Sequence, residues 1–124
     1  MLDKILINKH ALIVEDDEAS RLLVETMLSD IGCSFDVATN GQEAVDLVRR
    51  QQFDIALMDI RMPLMNGYEA AKAIRAAHKD LPIIALTAHA LPWIEERYRE
   101  CGMNGYLAKP FDQQQLLEML LRWA

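Results

Sequence analysis

The sequence predicts an α/β domain of the (βα)5 type, in which helices cover both faces of a doubly wound sheet of five parallel strands. Short apolar runs alternate along the chain with longer segments that have the periodicity of amphipathic helices. Polar residues are almost absent from the runs, as expected of parallel strands that are buried on both faces. Regular alternation of strand and helix favours right-handed crossovers and therefore a parallel sheet.

The five predicted strands are the apolar runs at residues 11–14, 35–38, 55–58, 83–86 and 106–108. Asp36 interrupts the second run, so we expect that strand at an edge of the sheet. Apolar residues three and four positions apart predict the first, second, third and fifth helices. These residues are Val24, Met27, Leu28 and Ile31, then Ala44, Leu47 and Val48, then Ala70, Ala73, Ile74 and Ala77, and finally Leu116, Leu117, Leu120 and Leu121.

Glycine and proline predict where helices begin and end. Gly32 and Gly102 stand where the first and fourth helices should end, and glycine suits a left-handed C-terminal cap. Pro92 suits the first turn of the fourth helix.

The composition is typical of one folded domain that spans residues 1–124. The chain is 52% hydrophobic and 26% charged, with a formal net charge of −6, which excludes a disordered chain and argues against binding of nucleic acid. The apolar stretches are shorter than the roughly 20 residues that span a bilayer, so we expect a cytoplasmic domain without a membrane segment. Residues 1–9 extend the first strand, or form a leader or the stub of a longer parent chain.

Candidate functional residues follow the predicted strands. Ligands of open α/β sheets bind outside the carboxyl ends of the strands. The residues at these ends are Glu15, Asp16 and Asp17 after the first strand, Asp59 after the third, Thr87 after the fourth and Lys109 after the fifth. Asp54 precedes the third strand, at the opposite end, and we assign it a surface role. Each of these residues alone has an ordinary structural explanation. The functional hypothesis depends on all of them lying at the same edge of the sheet.

The charges at this edge predict a magnesium site. Two carboxylates about 4 Å apart repel each other by about 4 kcal/mol at an effective dielectric constant near 20. Such a cluster must protonate, separate or bind a cation, and oxygen ligands without histidine or cysteine favour Mg²⁺. A magnesium ion beside an ammonium and a hydroxyl suits a phosphoryl group, and a carboxylate is itself able to act as the nucleophile.

The sequence also resembles the receiver domains of two-component response regulators, most closely those attached to hybrid sensor histidine kinases. The similar segments are LIVEDD (12–17), LMDIRMP (57–63), NGYE (66–69), IIALTA (83–88) and GYLAKPF (105–111). The resemblance implies a flavodoxin-like strand order 2-1-3-4-5, which the periodicity alone does not give, and a cis peptide bond between Lys109 and Pro110.

The resemblance also assigns roles to the residues at the strand ends. It implies that Asp59 is the phosphoacceptor and that Glu15, Asp16, Asp59 and the backbone carbonyl of Arg61 bind Mg²⁺. Thr87 and Lys109 would each contact a phosphoryl oxygen. Glu15 stands where aspartate is commoner, so its longer side chain is expected to act directly or through water.

Several residues around the site are expected to control switching. The resemblance places Tyr106 at an aromatic switch position, where it would fill the space that Thr87 vacates on phosphorylation. Arg61 and His89 would tune the lifetime of the phosphorylated state. The fourth helix carries Leu91, Trp93 and Tyr98, which either pack in the core or form a docking patch.

The predicted function is therefore Mg²⁺-dependent transfer of a phosphoryl group from a partner phosphohistidine to Asp59. The partner would be a sensor histidine kinase or a histidine phosphotransfer domain, and an output partner would bind the surface of the fourth helix, fifth strand and fifth helix. Such a domain catalyses its own phosphorylation and dephosphorylation but serves as a signalling switch. The alternatives are a degenerate receiver that only docks proteins, a haloacid-dehalogenase-type phosphatase and a flavodoxin-like FMN carrier.

Overall fold

A computed structural model describes residue 6 and residues 8–61, 66–77, 80–88 and 94–124, with the side chain of Ile94 excepted. Five strands and five helices alternate in this part of the chain, as the sequence predicts. They are β1 (His10–Val14), α1 (Glu18–Asp30), β2 (Ser34–Ala38), α2 (Gly41–Arg50), β3 (Ile55–Asp59), α3 (Gly67–Ala77), β4 (Ile83–Thr87), α4 (Ile94–Glu100), β5 (Gly105–Ala108) and α5 (Gln113–Trp123).

The strands form one parallel sheet in the order β2-β1-β3-β4-β5. This is the order that the resemblance implies, and it confirms the predicted position of β2 at an edge. The order reverses between β1 and β3, which pair from Ala11 with Ile55 to Val14 with Met58. In a doubly wound sheet, this switch point opens a crevice at the carboxyl ends of the strands.

Alternate strand residues supply two apolar cores, one on each face of the sheet. Leu12 and Met58 face a core that α2, α3 and α4 complete, whereas Ile13 and Leu57 face a core that α1 and α5 complete. Burial on both faces explains why the central strands are nearly free of polar residues. Two positions differ from the predicted helix stripes, since Ala77 is exposed and Leu121 is 57% exposed.

Side chains cap the N-termini of three helices, and glycines follow the C-termini of two. Asp17, Asn40 and Asp112 cap the N-termini of α1, α2 and α5 with side-chain acceptors. Gly32 and Gly102 have φ of 81° and 85°, the left-handed conformation that glycine adopts without strain. Both lie just beyond the ends of α1 and α4, where the sequence predicts them.

Asp54 differs from its predicted surface role. Its half-buried carboxylate accepts a hydrogen bond of 2.7 Å from the backbone N–H of His10, and so joins β1 to the start of β3. The interaction lies at the amino end of the sheet, away from the candidate site, as its position before β3 predicts.

Several predictions lie outside the described residues. They concern Leu91, Pro92 and Trp93 of the fourth helix, His89, and residues 1–9 apart from Leu6, Asn8 and Lys9. Within the described part of the chain, every helix is too short or too polar to cross a bilayer.

Candidate functional site

The carboxyl ends of four strands bring the predicted site residues to one edge of the sheet. Glu15 follows β1, and its N–H donates to the carbonyl oxygen of Ala38 at 3.0 Å. Asp59 and Thr87 are the last residues of β3 and β4, which pair side by side. Lys109 follows β5, and its N–H donates to the carbonyl oxygen of Thr87 at 2.7 Å. The backbone ladder therefore fixes these four positions.

Three carboxylates converge at this edge. Glu15, Asp16 and Asp59 each place a carboxylate oxygen within 4.8 Å of the other two. Glu15 is 1% exposed and Asp59 is 8% exposed, whereas Asp16 is exposed to solvent. Two of the three charges are therefore poorly hydrated, and solvent reaches the cluster from the side of Asp16.

Asp17 does not belong to this cluster. Its carboxylate accepts a hydrogen bond of 2.9 Å from the N–H of Ser20, at the N-terminus of α1. That bond lowers the pKa of Asp17, because it stabilises the charged form. Asp17 follows the first strand, as do Glu15 and Asp16, but its geometry assigns it to helix capping.

Lys109 makes ion pairs with two of the clustered carboxylates. Its Nζ lies 3.0 Å from Oε1 of Glu15 and 3.7 Å from Oδ1 of Asp59. The sequence predicts a contact of Lys109 with a phosphoryl oxygen but gives no sign of the ion pair with Glu15. The same ammonium is thus held beside Asp59 by a second, more deeply buried carboxylate. The peptide bond between Lys109 and Pro110 is cis, as the resemblance implies.

The environment of Glu15 opposes its negative charge. Burial raises the pKa of Glu15, and a hydrogen bond to Asp59 raises it further by favouring the protonated form. Lys109 acts in the opposite direction but does not reverse the shift. The cluster therefore holds more negative charge than its one ammonium balances.

The donor set fits a hard divalent cation. Carboxylate oxygens are the ligands that Mg²⁺ prefers in proteins, and the cluster offers three of them from two adjacent strand ends. A divalent ion would favour the charged form of Glu15, against the burial and the neighbouring Asp59 that raise its pKa. The exposed position of Asp16 gives such an ion access to solvent and to a ligand.

Backbone contacts fix the position of Asp59. The N–H of Arg61 donates to Oδ1 of Asp59 at 3.3 Å, and the N–H of Gly67 donates to the carbonyl oxygen of Ile60 at 2.9 Å. A Cβ atom on Gly67 would lie 2.6 Å from the carbonyl oxygen of Asp59, so only glycine allows this close approach of α3. The side chain of Arg61 is exposed.

Tyrosines from three elements make ring contacts with one another near Thr87. The ring of Tyr98 in α4 lies 5.5 Å from that of Tyr106 in β5 and 6.1 Å from that of Tyr68 in α3. Tyr98 is 1% exposed and Tyr106 is half-buried. The structure therefore places Tyr98 in the core rather than in a surface patch. Its spacing of three residues from the buried Cys101 is a signal of this burial, but its contact with Tyr106 depends on tertiary packing.

Comparison with known proteins identifies the family. The response regulator receiver domain matches residues 11–121. The sensor protein GacS of Pseudomonas syringae pv. syringae is 41% identical over 117 residues, which cover 90% of this chain but only 13% of that protein. The chain thus spans a small part of the relative's length.

Solved structures agree with this family. The receiver domain of the sensor histidine kinase PA1611 from Pseudomonas aeruginosa PAO1, with a magnesium ion in its active site cleft, is 41% identical with a TM-score of 0.87, over 93% of this chain and 96% of that one. The receiver domain of Ssk1 from Saccharomyces cerevisiae, crystallised with the histidine phosphotransfer protein Ypd1, is 30% identical with a TM-score of 0.87, over 93% and 88% of the two chains. From its sequence and its fold, this chain belongs to the response regulator receiver family.

Proposed function

We propose that this receiver domain accepts a phosphoryl group on Asp59 from a phosphohistidine of a partner protein, in a Mg²⁺-dependent reaction. The observation that carries the proposal is the convergence of Asp59 with Glu15 and Asp16 beside the ammonium of Lys109. A carboxylate in this setting is a nucleophile, and Lys109 together with a bound cation would compensate the charge that the phosphoryl group adds.

The metal would be held by the residues that carry the excess charge. Glu15, Asp16 and Asp59 would supply carboxylate oxygens, and Arg61 would supply its backbone carbonyl. When bound, Mg²⁺ neutralises the negative charge that nucleophile and phosphoryl group would otherwise bring together.

The chain's own residues then perform the transfer. An oxygen of Asp59 forms a bond to phosphorus while the bond from phosphorus to the histidine nitrogen breaks, and the electron pair of that bond returns to the imidazole. Lys109, whose Nζ is 3.7 Å from Asp59, pairs with one phosphoryl oxygen. The hydroxyl of Thr87 donates a hydrogen bond to a second phosphoryl oxygen. Hydrolysis is a separate and slower step. Water attacks the phosphorus, the bond from phosphorus to the Asp59 oxygen breaks, and the carboxylate is regenerated as inorganic phosphate leaves. Arg61 and His89 would set the rate of this step.

A protein donor is supported by the surface beside the site. Leu23, Val24, Pro110 and Phe111 line an apolar groove that reaches Glu15 and Lys109. Leu22 and Leu23 of α1 are 53% and 52% exposed. Large exposed apolar side chains next to a reactive group favour docking of another protein. We propose a sensor histidine kinase or a histidine phosphotransfer domain as that partner.

The opposite rim offers a place for an output partner. Glu95 of α4, Tyr106 of β5, and Met119 and Trp123 of α5 line a groove of about 220 Å³. Tyr106 lines this groove and its ring contacts Tyr98, which neighbours Thr87. A change near Thr87 would therefore alter the shape of the groove. We propose that this domain of residues 1–124 acts as a switch within a phosphorelay, as a separate regulator or as part of a hybrid kinase.

Intact-mass analysis after treatment with acetyl phosphate tests the proposal. The wild-type protein should gain one phosphoryl group when Mg²⁺ is present and none when Mg²⁺ is chelated. Asp59→Asn should gain none. Asp54→Asn is the matched control, because it removes a carboxylate from the other end of the same strand, and it should behave as wild type. Equal uptake by Asp59→Asn would refute the phosphoacceptor assignment, and no uptake by wild type would favour a docking-only domain.

A further inference from the structure

The three tyrosines that contact one another differ in their exposure to solvent. Tyr98 is 1% exposed and lies between Tyr68 and Tyr106. Arg97 lies over the outer face of Tyr68, 4.5 Å from its ring centre. The ring contacts therefore connect Tyr68 of α3 through the buried Tyr98 of α4 to Tyr106 of β5.

The hydroxyl of Tyr98 is in an unfavourable position. It is fully buried and makes no hydrogen bond of standard geometry to the described residues. A buried hydroxyl without a partner costs about 1–3 kcal/mol, so phenylalanine would serve the packing at this position at least as well. An unpaired buried hydroxyl needs an explanation, and one explanation is a hydrogen-bond partner that is present in another state of the protein.

Thr87 is the side chain placed to supply that partner. Burial raises the pKa of Tyr98, and the neighbouring hydroxyl of Thr87 partly offsets this rise. A threonine hydroxyl has one proton and two acceptor positions. If its proton is committed to an oxygen in the site, its acceptor positions face away from that oxygen and become available to the hydroxyl of Tyr98.

We propose that Tyr98 is a positioning residue that reads the state of Thr87: its hydroxyl donates to Thr87 when Thr87 donates to a phosphoryl oxygen on Asp59. This inference rests on the proposed function. It assigns to Tyr98 the direct contact with Thr87, and it makes Tyr106 the second residue in the relay, moved through its ring contact with Tyr98. In this proposal the phosphorylated state orients Thr87 to accept the hydrogen bond, so the bond stabilises that state selectively.

Beryllofluoride with Mg²⁺, which imitates a phosphoryl group on a carboxylate, provides the test. Tyr98→Phe should bind beryllofluoride about 3- to 10-fold more weakly than wild type, the effect of losing one net hydrogen bond. Its urea midpoint without ligand should be unchanged or higher. Thr87→Val should abolish the difference between tyrosine and phenylalanine at position 98. Thr26→Val, which removes a hydroxyl that bonds to Leu22 on the exposed side of α1, should bind as wild type.

Tyrosine labelled with ¹³C at Cζ gives a spectroscopic signature. The Tyr98 resonance, assigned by its absence in Tyr98→Phe, should shift when beryllofluoride is added to wild type and should stay in place in Thr87→Val. The inference is overturned if Tyr98→Phe binds beryllofluoride as well as wild type does, or if its urea midpoint without ligand falls. Failure of wild type itself to bind beryllofluoride would refute the proposed function instead.

Discussion

Replacement of Lys109 by methionine tests the charge balance of the site. At an effective dielectric constant of 20, its ion pairs at 3.0 Å with Glu15 and 3.7 Å with Asp59 correspond to attractions of about 5.5 and 4.5 kcal/mol. Lys109 is 28% exposed, so solvent and the cost of burial cancel much of this gain. We expect Lys109→Met to lose about 2–4 kcal/mol of unfolding free energy at pH 7 without metal, since it leaves a buried carboxylate uncompensated.

Urea unfolding measured against pH and Mg²⁺ is the assay. The raised pKa of Glu15 means that the folded protein holds this proton more tightly than the unfolded chain. Stability from this group is fully present below its ordinary pKa of 4.5 and is lost as the pH rises through the raised value. The difference between wild type and Lys109→Met should therefore shrink as the solution is acidified through that range.

Mg²⁺ should stabilise Lys109→Met more than wild type, because the ion then replaces a missing positive charge and meets no ammonium. Lys109→Arg keeps the charge and should lose less stability than Lys109→Met. The reasoning fails if Lys109→Met is as stable as wild type at pH 7, or if its deficit is the same at acidic and neutral pH.

Three further predictions follow from the same structure. Glu15→Gln should be more stable than wild type at pH 7 without metal, and this advantage should disappear as the pH falls through the raised pKa of Glu15. Mg²⁺ should stabilise Glu15→Gln less than it stabilises wild type. Urea titrations measure all three effects. Gly67→Ala should lower the free energy of unfolding by about 1–3 kcal/mol and reduce phosphorylation, because the added Cβ lies 2.6 Å from the backbone of Asp59. Gly105→Ala is the control and should be tolerated, because the atom nearest to its Cβ is a flexible side-chain carbon at 3.5 Å. Burial raises the pKa of the Cys33 thiol to about 11, so iodoacetamide at pH 8 should modify it far more slowly in the native protein than in urea.

The strand ends were predictable because burial and topology act together. Apolar runs mark parallel strands, and a parallel sheet sends all their carboxyl ends to one edge. These two facts predict that Asp59, Thr87 and Lys109 lie at the same edge of the sheet as the carboxylates after β1. This prediction needs no knowledge of strand order, since any order of parallel strands puts these residues at the same edge.

Other features depend on distances that a sequence does not contain. The strand order came from the resemblance, because alternation of strand and helix is compatible with several orders. The choice of Glu15 as the main partner of Lys109 depends on side chains that are 94 positions apart. The sequence left open whether Tyr98 packs in the core or forms part of a docking patch, because the spacing within α4 does not reveal its ring contact with Tyr106 of β5.

The two ends of the sheet use similar residues in different ways. At the amino end, the ring of His10 contacts Ser34 at 2.7 Å and Asp36 at 2.8 Å, and stacks on Phe53. Its backbone N–H bonds to Asp54. Each polar group in this cluster has a partner, so the cluster joins β1 to its neighbours and serves the fold.

At the carboxyl end, charge is left uncompensated. Glu15, Asp16 and Asp59 converge, and in the described part of the chain the ammonium of Lys109 pairs with Glu15 and Asp59. Burial and the nearby Asp59 raise the pKa of Glu15, so the charged form of this carboxyl is disfavoured. Replacement of buried charged groups by neutral side chains of similar volume is often neutral or stabilising, so we do not expect stability to account for the arrangement. A cation that binds to the folded protein gains the relief of this repulsion as binding free energy. We therefore expect the repulsion within the cluster to contribute to its affinity for a cation. A phosphoryl group on Asp59 would then add negative charge that the cation and Lys109 accommodate.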